Sequence, residues 1–350
     1  MVAIALAERR LVPEPLIRAA IRLLLRDRLS QEARRFADRE AELRRFVDRM
    51  AGEDLAPSAE VANRQHYEVP TEFFQLVLGK HLKYSAGLWQ PGTATLDEAE
   101  AAMLELTCAR ADLRDGQAVL ELGCGWGSLS LWMAARFPRS RIVAVSNSRT
   151  QGAYIRARAA ERGLANLEVR TADMNGFAPR EGERFDRIVS VEMFEHMRNW
   201  PELFHRVAGW LAPGGRAFVH VFAHRRFAYP FEVDGDRDWM ARHFFTGGIM
   251  PAHDLPRLIP GPLEVEESWL VQGTHYARTA EAWLERLTSN RSAALQVFCR
   301  DLPEGQARLQ LERWRLFFLA CAELFGFAGG TEWVVSHHRL RARTSQEARP

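Results

Sequence analysis

The chain has 350 residues, with 47 Lys and Arg against 45 Asp and Glu and a formal net charge of +2. That length suits one large α/β domain with additions or two small domains, and the near-neutral balance argues against a general nucleic-acid binder. Four cysteines (Cys108, Cys124, Cys299, Cys321) show neither metal-ligand spacing nor a disulfide framework, the usage expected of a reducing cytoplasmic compartment.

Residues 15–50 carry a helical pattern, apolar at Leu16, Ile17, Ala20, Ile21, Leu24 and Leu25 and again at Phe36, Leu43, Phe46 and Val47, with arginines between. The most apolar stretch, residues 16–25, is broken by Arg18 and Arg22. It is therefore neither a membrane span, which needs ~20 apolar residues, nor a signal segment. Two readings fit: a surface helix with its stripe packed on the main domain, or a basic amphipathic face making peripheral contact with anionic lipid. Residues 51–58, with Gly52 and Pro57, read as a linker. The expected division is residues 1–62 as N-terminal helical segment and linker, and residues 63–350 as the main domain.

From there the chain alternates strand and helix as a doubly wound sheet does. Strands are expected at 118–122, 141–146, 167–171, 185–191 and 217–222, with helices at 128–136, 149–162 and 201–211. Pro213-Gly214-Gly215 reads as the turn entering the fifth strand. Further strands at 263–271 and 332–341 complete seven. The intervening segments, about 223–260 and 279–326, are rich in Trp, Phe and Arg and exceed what crossovers need. They are expected to cover the carboxyl edge of the sheet, where open α/β sheets bind ligands.

The most informative segment is V-L-E-L-G-C-G-W-G at residues 119–127. Gly123 and Gly125 can take positive φ and present no Cβ, so a ligand can lie against backbone. The following helix turns its positive end to the same cleft. The spacing G-x-G-x-G, with Glu121 two residues before the first glycine, favours S-adenosylmethionine (SAM) over a dinucleotide, whose fingerprint is G-x-G-x-x-G. Glu121 is placed to reach the cofactor's ammonium. The second strand ends Val145-Ser146-Asn147-Ser148 and offers no acid for the ribose hydroxyls, leaving Asn147 or Gln151 to bind them by neutral hydrogen bonds. After the third strand, Asp173 can accept from the adenine amine while Met174 packs on the ring. The alternative for Asp173 is a loop carboxylate capping the next segment.

The fourth strand ends in Glu192-Met193-Phe194-Glu195-His196, two carboxylates and an imidazole where a methyl group would be delivered. Methyl transfer from a sulfonium is an in-line displacement that needs an aligned, unprotonated nucleophile and excluded water. An imidazole with an ordinary pKa of ~6.5 accepts a proton near neutrality, and a carboxylate orients it. The structural alternative has Glu195 capping the next helix and His196 merely packed. The cluster lacks a third well-spaced ligand, so no metal is expected.

Over residues 63–343 the chain resembles the cyclopropane-fatty-acid synthase superfamily of SAM-dependent methyltransferases, and within it the coclaurine N-methyltransferase branch. The segments that carry the likeness are HYEVPTEFF, LKYSAGLW, LELGCGWGSLSLW, VSNS, FDRIVSVEMFEHM, FAYPFE, DWMARHFFTGGIMP, GTHYARTAEAWLERL, RWRLFFLACAELFGF and EWVVSHH. The resemblance implies a class I methyltransferase fold, a Rossmann-like seven-stranded sheet with N-terminal helices and a helical substrate cover. It implies Tyr84, Ser85, Gly123, Gly125, Asn147, Gln151, Asp173 and Met174 around SAM, and Glu192, Glu195 and His196 facing an acceptor amine. In the lipid-modifying relatives a Y-S-C segment helps hold a bicarbonate base. Here it reads Tyr84-Ser85-Ala86, and Glu192 replaces their usual glycine. Glu195, His220 and Tyr276 match both branches. The expected activity is N-methylation of a small, partly aromatic amine. The alternative is methylation or cyclopropanation of unsaturated fatty acyl chains.

Overall fold

The structure is a computed structural model that describes residues 2–57, 69–232 and 239–343. The apolar runs of its central strands, 119–122 and 142–145, are buried on both sheet faces, as parallel strands between helices must be. Strands β1 (Ala118–Leu122), β2 (Arg141–Ser146), β3 (Leu167–Thr171), β4 (Phe185–Val191) and β5 (Leu211–His224) run parallel. β6 (Leu263–Val271) and β7 (Trp333–Ala342) complete a seven-stranded sheet in the order β3-β2-β1-β4-β5-β7-β6, with β7 antiparallel to both neighbours. The strand order reverses between β1 and β4, which opens a crevice beyond their carboxyl ends.

The expected strands 1 to 4 coincide with the observed ones. β5 begins earlier than expected because Pro213-Gly214-Gly215 lies within its span. The register against β4 shifts between Phe185 and Arg187, and Gly214 takes φ +74°, so the turn is absorbed as a bulge.

Helices α1 (Val2–Glu8), α2 (Glu14–Arg35) and α3 (Arg39–Ala51) precede α4 (Thr71–Val77) and α5 (Leu96–Arg110). α6 (Ser128–Arg136), α7 (Arg149–Glu161) and α8 (Trp200–Trp210) are the crossovers, and α9 (Trp239–His243), α10 (Gly273–Ser289), α11 (Arg291–Phe298) and α12 (Glu304–Gly326) belong to the cover segments. Phe73 and Phe74 of α4, Trp283 of α10, and Trp314 and Phe318 of α12 are fully buried together. Each contributes roughly 1.5–3 kcal/mol or more of burial, enough to seat the cover on the sheet edge.

The N-terminal pattern resolves into two helices. Asp38 interrupts it, its side chain accepting from the Ala41 N–H at 3.1 Å as the N-cap of α3. In α2 the inward face is Ile17, Ile21 and Leu25, whereas Leu16 and Leu24 are 60% and 50% exposed, contrary to the packed stripe expected of them. Arg18 is turned toward the neighbouring helices, whereas Arg22 is itself exposed and only its guanidinium reaches in. Arg18 reaches Glu281 at 2.6 Å and Glu323 at 3.0 Å, and Arg22 reaches Glu323 at 2.5 Å, tying α2 to α10 and α12.

A candidate active site between the sheet edge and its cover

The glycine turn builds the first wall. Gly123 takes φ +75° and Gly125 φ +51°, a region that side chains resist. A Cβ on Gly123 would strike Met193, while one on Gly125 would project into open space. Two adjoining cavities meet there. The outer, about 60 Å³, is lined by Asn147, Asp173 and Met174 together with Ala56, Met193 and Thr246. The inner, about 150 Å³, is lined by Tyr84, Ser85, Glu121, Glu192 and Glu195. Gly123, Gly125, Gln151 and His196 belong to both. Every residue expected at the site therefore lies on one cavity or the other.

Local contacts aim these groups. Ser146 donates to Gln151 Oε1 at 2.7 Å, which leaves the Gln151 amide NH₂ for the cavities. Asp173 Oδ1 accepts from the Asn175 N–H at 2.7 Å, so one of its oxygens does cap the loop, as the alternative reading held, while the residue also lines the outer cavity. Glu121 is buried beneath the turn and accepts from Ser130 Oγ at 2.5 Å. Burial pushes its carboxyl up to about 8, against the opposing Ser130 hydrogen bond. A carboxylate so placed lacks only a cation, and the α-ammonium of SAM is one. The open space over Gly125 and this charge-starved acid fit that cofactor.

The other wall carries the acids. Glu192 terminates β4 with φ +48°, strained for any residue but glycine, and its N–H donates to the His220 carbonyl at 2.8 Å. The Tyr276 hydroxyl donates to Glu192 Oε2 at 2.7 Å, and His220 Nε2 stands 3.4 Å from Oε1. Burial raises the Glu192 carboxyl to about 7, opposed by the charge of Lys83, the Tyr276 hydrogen bond and the Ala86 backbone N–H. Glu195 is 1% exposed. Burial first, and the Glu192 charge second, hold its carboxyl well above the ordinary range. Glu195 does not cap α8, because Asn199 does, accepting from the Glu202 N–H at 2.9 Å. His196 is half-buried in the single 3₁₀ turn Phe194–His196, its ring stacked on Phe245 with centroids 4.7 Å apart.

Three contributors escaped the sequence reading. Lys83, fully buried, donates to Ser85 Oγ at 2.5 Å and to the Ala86 carbonyl at 2.8 Å, and burial drives its amine down to about 8. A lysine inside the otherwise apolar L-K-Y-S-A-G-L was the available signal. His337 stands beside His220 on the sheet, and nothing in the segment EWVVSHH sets it apart from its neighbour His338. The third is the choice of phenylalanines in the roof over the inner cavity: Phe231, Phe245, Phe317 and Phe325 come from the expected cover segments and Phe222 from β5, with no common signature to single them out.

Residues 56–329 match the mycolic acid cyclopropane synthetase family. The (S)-coclaurine N-methyltransferase of Thalictrum flavum subsp. glaucum is 36% identical over 334 residues, 93% of this chain and 91% of its own. A crystal structure of coclaurine N-methyltransferase bound to N-methylheliamine and S-adenosylhomocysteine superposes with TM-score 0.92 at 34% identity, covering 96% of this chain and 98% of that one. The cyclopropane-fatty-acyl-phospholipid synthase of Escherichia coli (strain K12) is 30% identical over 65% of this chain and 56% of its own. With the glycine turn, the reversed strand order and the paired cavities already in place, these likenesses show that the chain is a SAM-dependent methyltransferase of the mycolic acid cyclopropane synthetase family.

Proposed function

We propose that the chain methylates the nitrogen of a small, partly aromatic amine. The observation that carries this reading is the pair of buried carboxyls, Glu192 and Glu195, at the floor of a cavity roofed by phenylalanines. An ammonium entering that cavity relieves the mutual repulsion of the two acids and displaces the proton they retain when it is empty. The named coclaurine and pavine N-methyltransferase relatives support the same choice.

SAM supplies an electrophilic methyl on a sulfonium. In the proposed roles Glu121, Gly123, Gly125, Tyr84 and Ser85 hold its amino-acid end, and Asn147, Gln151, Asp173 and Met174 its adenosine. Glu192 and Glu195 receive the amine as ammonium, His196 accepts its proton, and the freed lone pair forms the N–C bond. Bound SAM would balance that bond by keeping the electron pair of its broken C–S bond on sulfur and departing as the neutral thioether. Phe245 fixes the plane of His196 by stacking, and the phenylalanine roof excludes water. We further read residues 1–62 as an N-terminal helical segment and linker appended to the methyltransferase domain, residues 58–62 lying outside the described ones, and the cytoplasm as its compartment, on the four free cysteines.

A second reading, acyl-chain modification, draws on the exposed leucines Leu11, Leu16, Leu23 and Leu24, a face suited to peripheral membrane contact. One assay separates the two: SAM with a labelled methyl, offered (S)-coclaurine and, in parallel, phospholipid vesicles with unsaturated chains. We expect label in the amine, with no response to bicarbonate, because the Glu192 carboxylate itself receives the donors of Tyr276 and Ala86. Label in acyl chains alone overturns the proposal.

A further inference from the structure

A buried line of side chains runs from the back of the sheet to the acids. Arg110, the last residue of α5, lies with Nη1 2.8 Å from Nδ1 of His337. His337 Nε2 lies 2.8 Å from Nδ1 of His220, its directly opposed partner across β5 and β7. His220 Nε2 then faces Glu192 Oε1 at 3.4 Å. Among the described residues neither of those last two atoms has a hydrogen-bond partner, so each is the polar counterpart of the other. Both imidazoles are fully buried, and Arg110 is steadied by Trp269, 5.0 Å beneath its guanidinium.

A guanidinium only donates. His337 Nδ1 must therefore accept, which puts its proton on Nε2. That proton goes to His220 Nδ1, which must accept in turn, so His220 carries its own proton on Nε2, toward Glu192. Burial keeps both rings from gaining a second proton. The order cannot reverse at one ring without setting two N–H groups against each other.

We propose that Arg110 and His337 are positioning residues that fix the tautomer of His220, so that its Nε2–H points at Glu192 and keeps that carboxylate an acceptor turned to the amine. The inference rests on the amine reading for its consequence, and on geometry alone for its mechanism. Without the guanidinium, both rings can move their protons to Nδ1. A bare Nε2 lone pair would then confront the carboxylate, and Glu192 would hold a proton in place of the ammonium.

The test begins with the unaltered protein, labelled with ¹⁵N-histidine. Two-bond ¹H–¹⁵N correlations should report both His220 and His337 as neutral Nε2–H tautomers. Either ring found as Nδ1–H or as imidazolium overturns the proposal, whatever the substrate proves to be. Assignment comes from His220→Asn and His337→Asn. In Arg110→Met the His220 signal should become a tautomer mixture. With (S)-coclaurine, KM should rise about 10-fold or more, the scale of a lost outer-shell partner. Calorimetric SAM affinity should stay unchanged, and Arg110→Lys, which keeps a donor, should recover most of the loss. Equal losses of SAM affinity and amine turnover in Arg110→Met, with no recovery in Arg110→Lys, would mark a merely structural arginine.

Discussion

The two halves of the site are built on opposite principles. The half proposed for the cofactor is made of backbone and of side chains at or next to the strand ends, held by local bonds: Gln151 by Ser146, Asp173 by the Asn175 amide, Glu121 by Ser130. The acceptor half is made of side chains that arrive from distant segments, Glu192 and Glu195 after β4, Tyr276 from α10, Phe317 and Phe325 from α12, and Phe245 between them. One half is rigid because the sheet is rigid. The other is specific because the cover chooses what stands over the acids. A cofactor common to a whole family can be served by the first. An acceptor that differs between relatives is accommodated by changing the second.

That division can be broken deliberately. The largest effect is expected at the seam, where His196 belongs to both cavities. His196→Ala should lower turnover by roughly 10²–10⁴, the usual worth of a positioned proton acceptor. SAM affinity measured by calorimetry should change little, and the deficit should shrink as pH rises and free amine becomes available. A variant that unfolds instead assigns His196 to packing.

Next comes the cofactor wall. Gly125→Val forces a branched side chain into the open space above the turn at φ +51°. Calorimetric SAM affinity should fall by about two orders of magnitude, a scale set by overpacking at roughly 1–3 kcal/mol with backbone strain added. Native far-UV circular dichroism should be retained, and undiminished binding in a folded variant would undo the assignment of this wall.

On the acceptor side, Glu192→Gly should weaken amine binding by about 1.5–3 kcal/mol, the worth of a charge-assisted hydrogen bond, and leave SAM affinity intact. The wild-type kcat/KM should rise through about pH 7 as Glu192 ionises, and this limb should vanish in the variant. An unmoved limb would assign it to another group.

The smallest effect concerns stability. Glu121 holds its proton up to about 8 when folded but only to ~4.3 when unfolded, so ionising it opposes folding. As pH rises from ~4.5 toward 8, the ligand-free wild type should lose stability relative to Glu121→Gln. At pH 8.5 the variant should melt a few degrees higher, as about 1 kcal/mol would give. Saturating SAM should narrow that gap, since its ammonium repays only the carboxylate. A gap independent of both pH and SAM would sever Glu121 from the cofactor.

Legibility in the sequence follows the same division. β1, β2 and β4 announce themselves as short, largely apolar runs that stop at a glycine or a polar residue, and the residues nominated at the strand ends do line the cavities. β5 misled because a bulge lets Pro213-Gly214-Gly215 lie inside a strand span. Leu16 and Leu24 misled because apolar spacing on a helix does not say which side is inside, and arginine ion pairs decided it. A cover over the sheet edge was readable from the Phe-rich segments, but which phenylalanines form its roof was not, nor was the Arg110–His337–His220 line, whose contacts join residues over 100 positions apart and leave no local pattern.

The left-handed backbone at Glu192 has a consequence beyond catalysis. Strand β4 ends in a shape that glycine adopts without strain, so the turn needs nothing from the glutamate side chain. One nucleotide separates the glutamate and glycine codons. The acid can therefore be gained or lost in a single mutational step, with strain relieved on losing it. A protein able to give up one of its two floor acids without refolding stands one base away from a less acidic acceptor pocket.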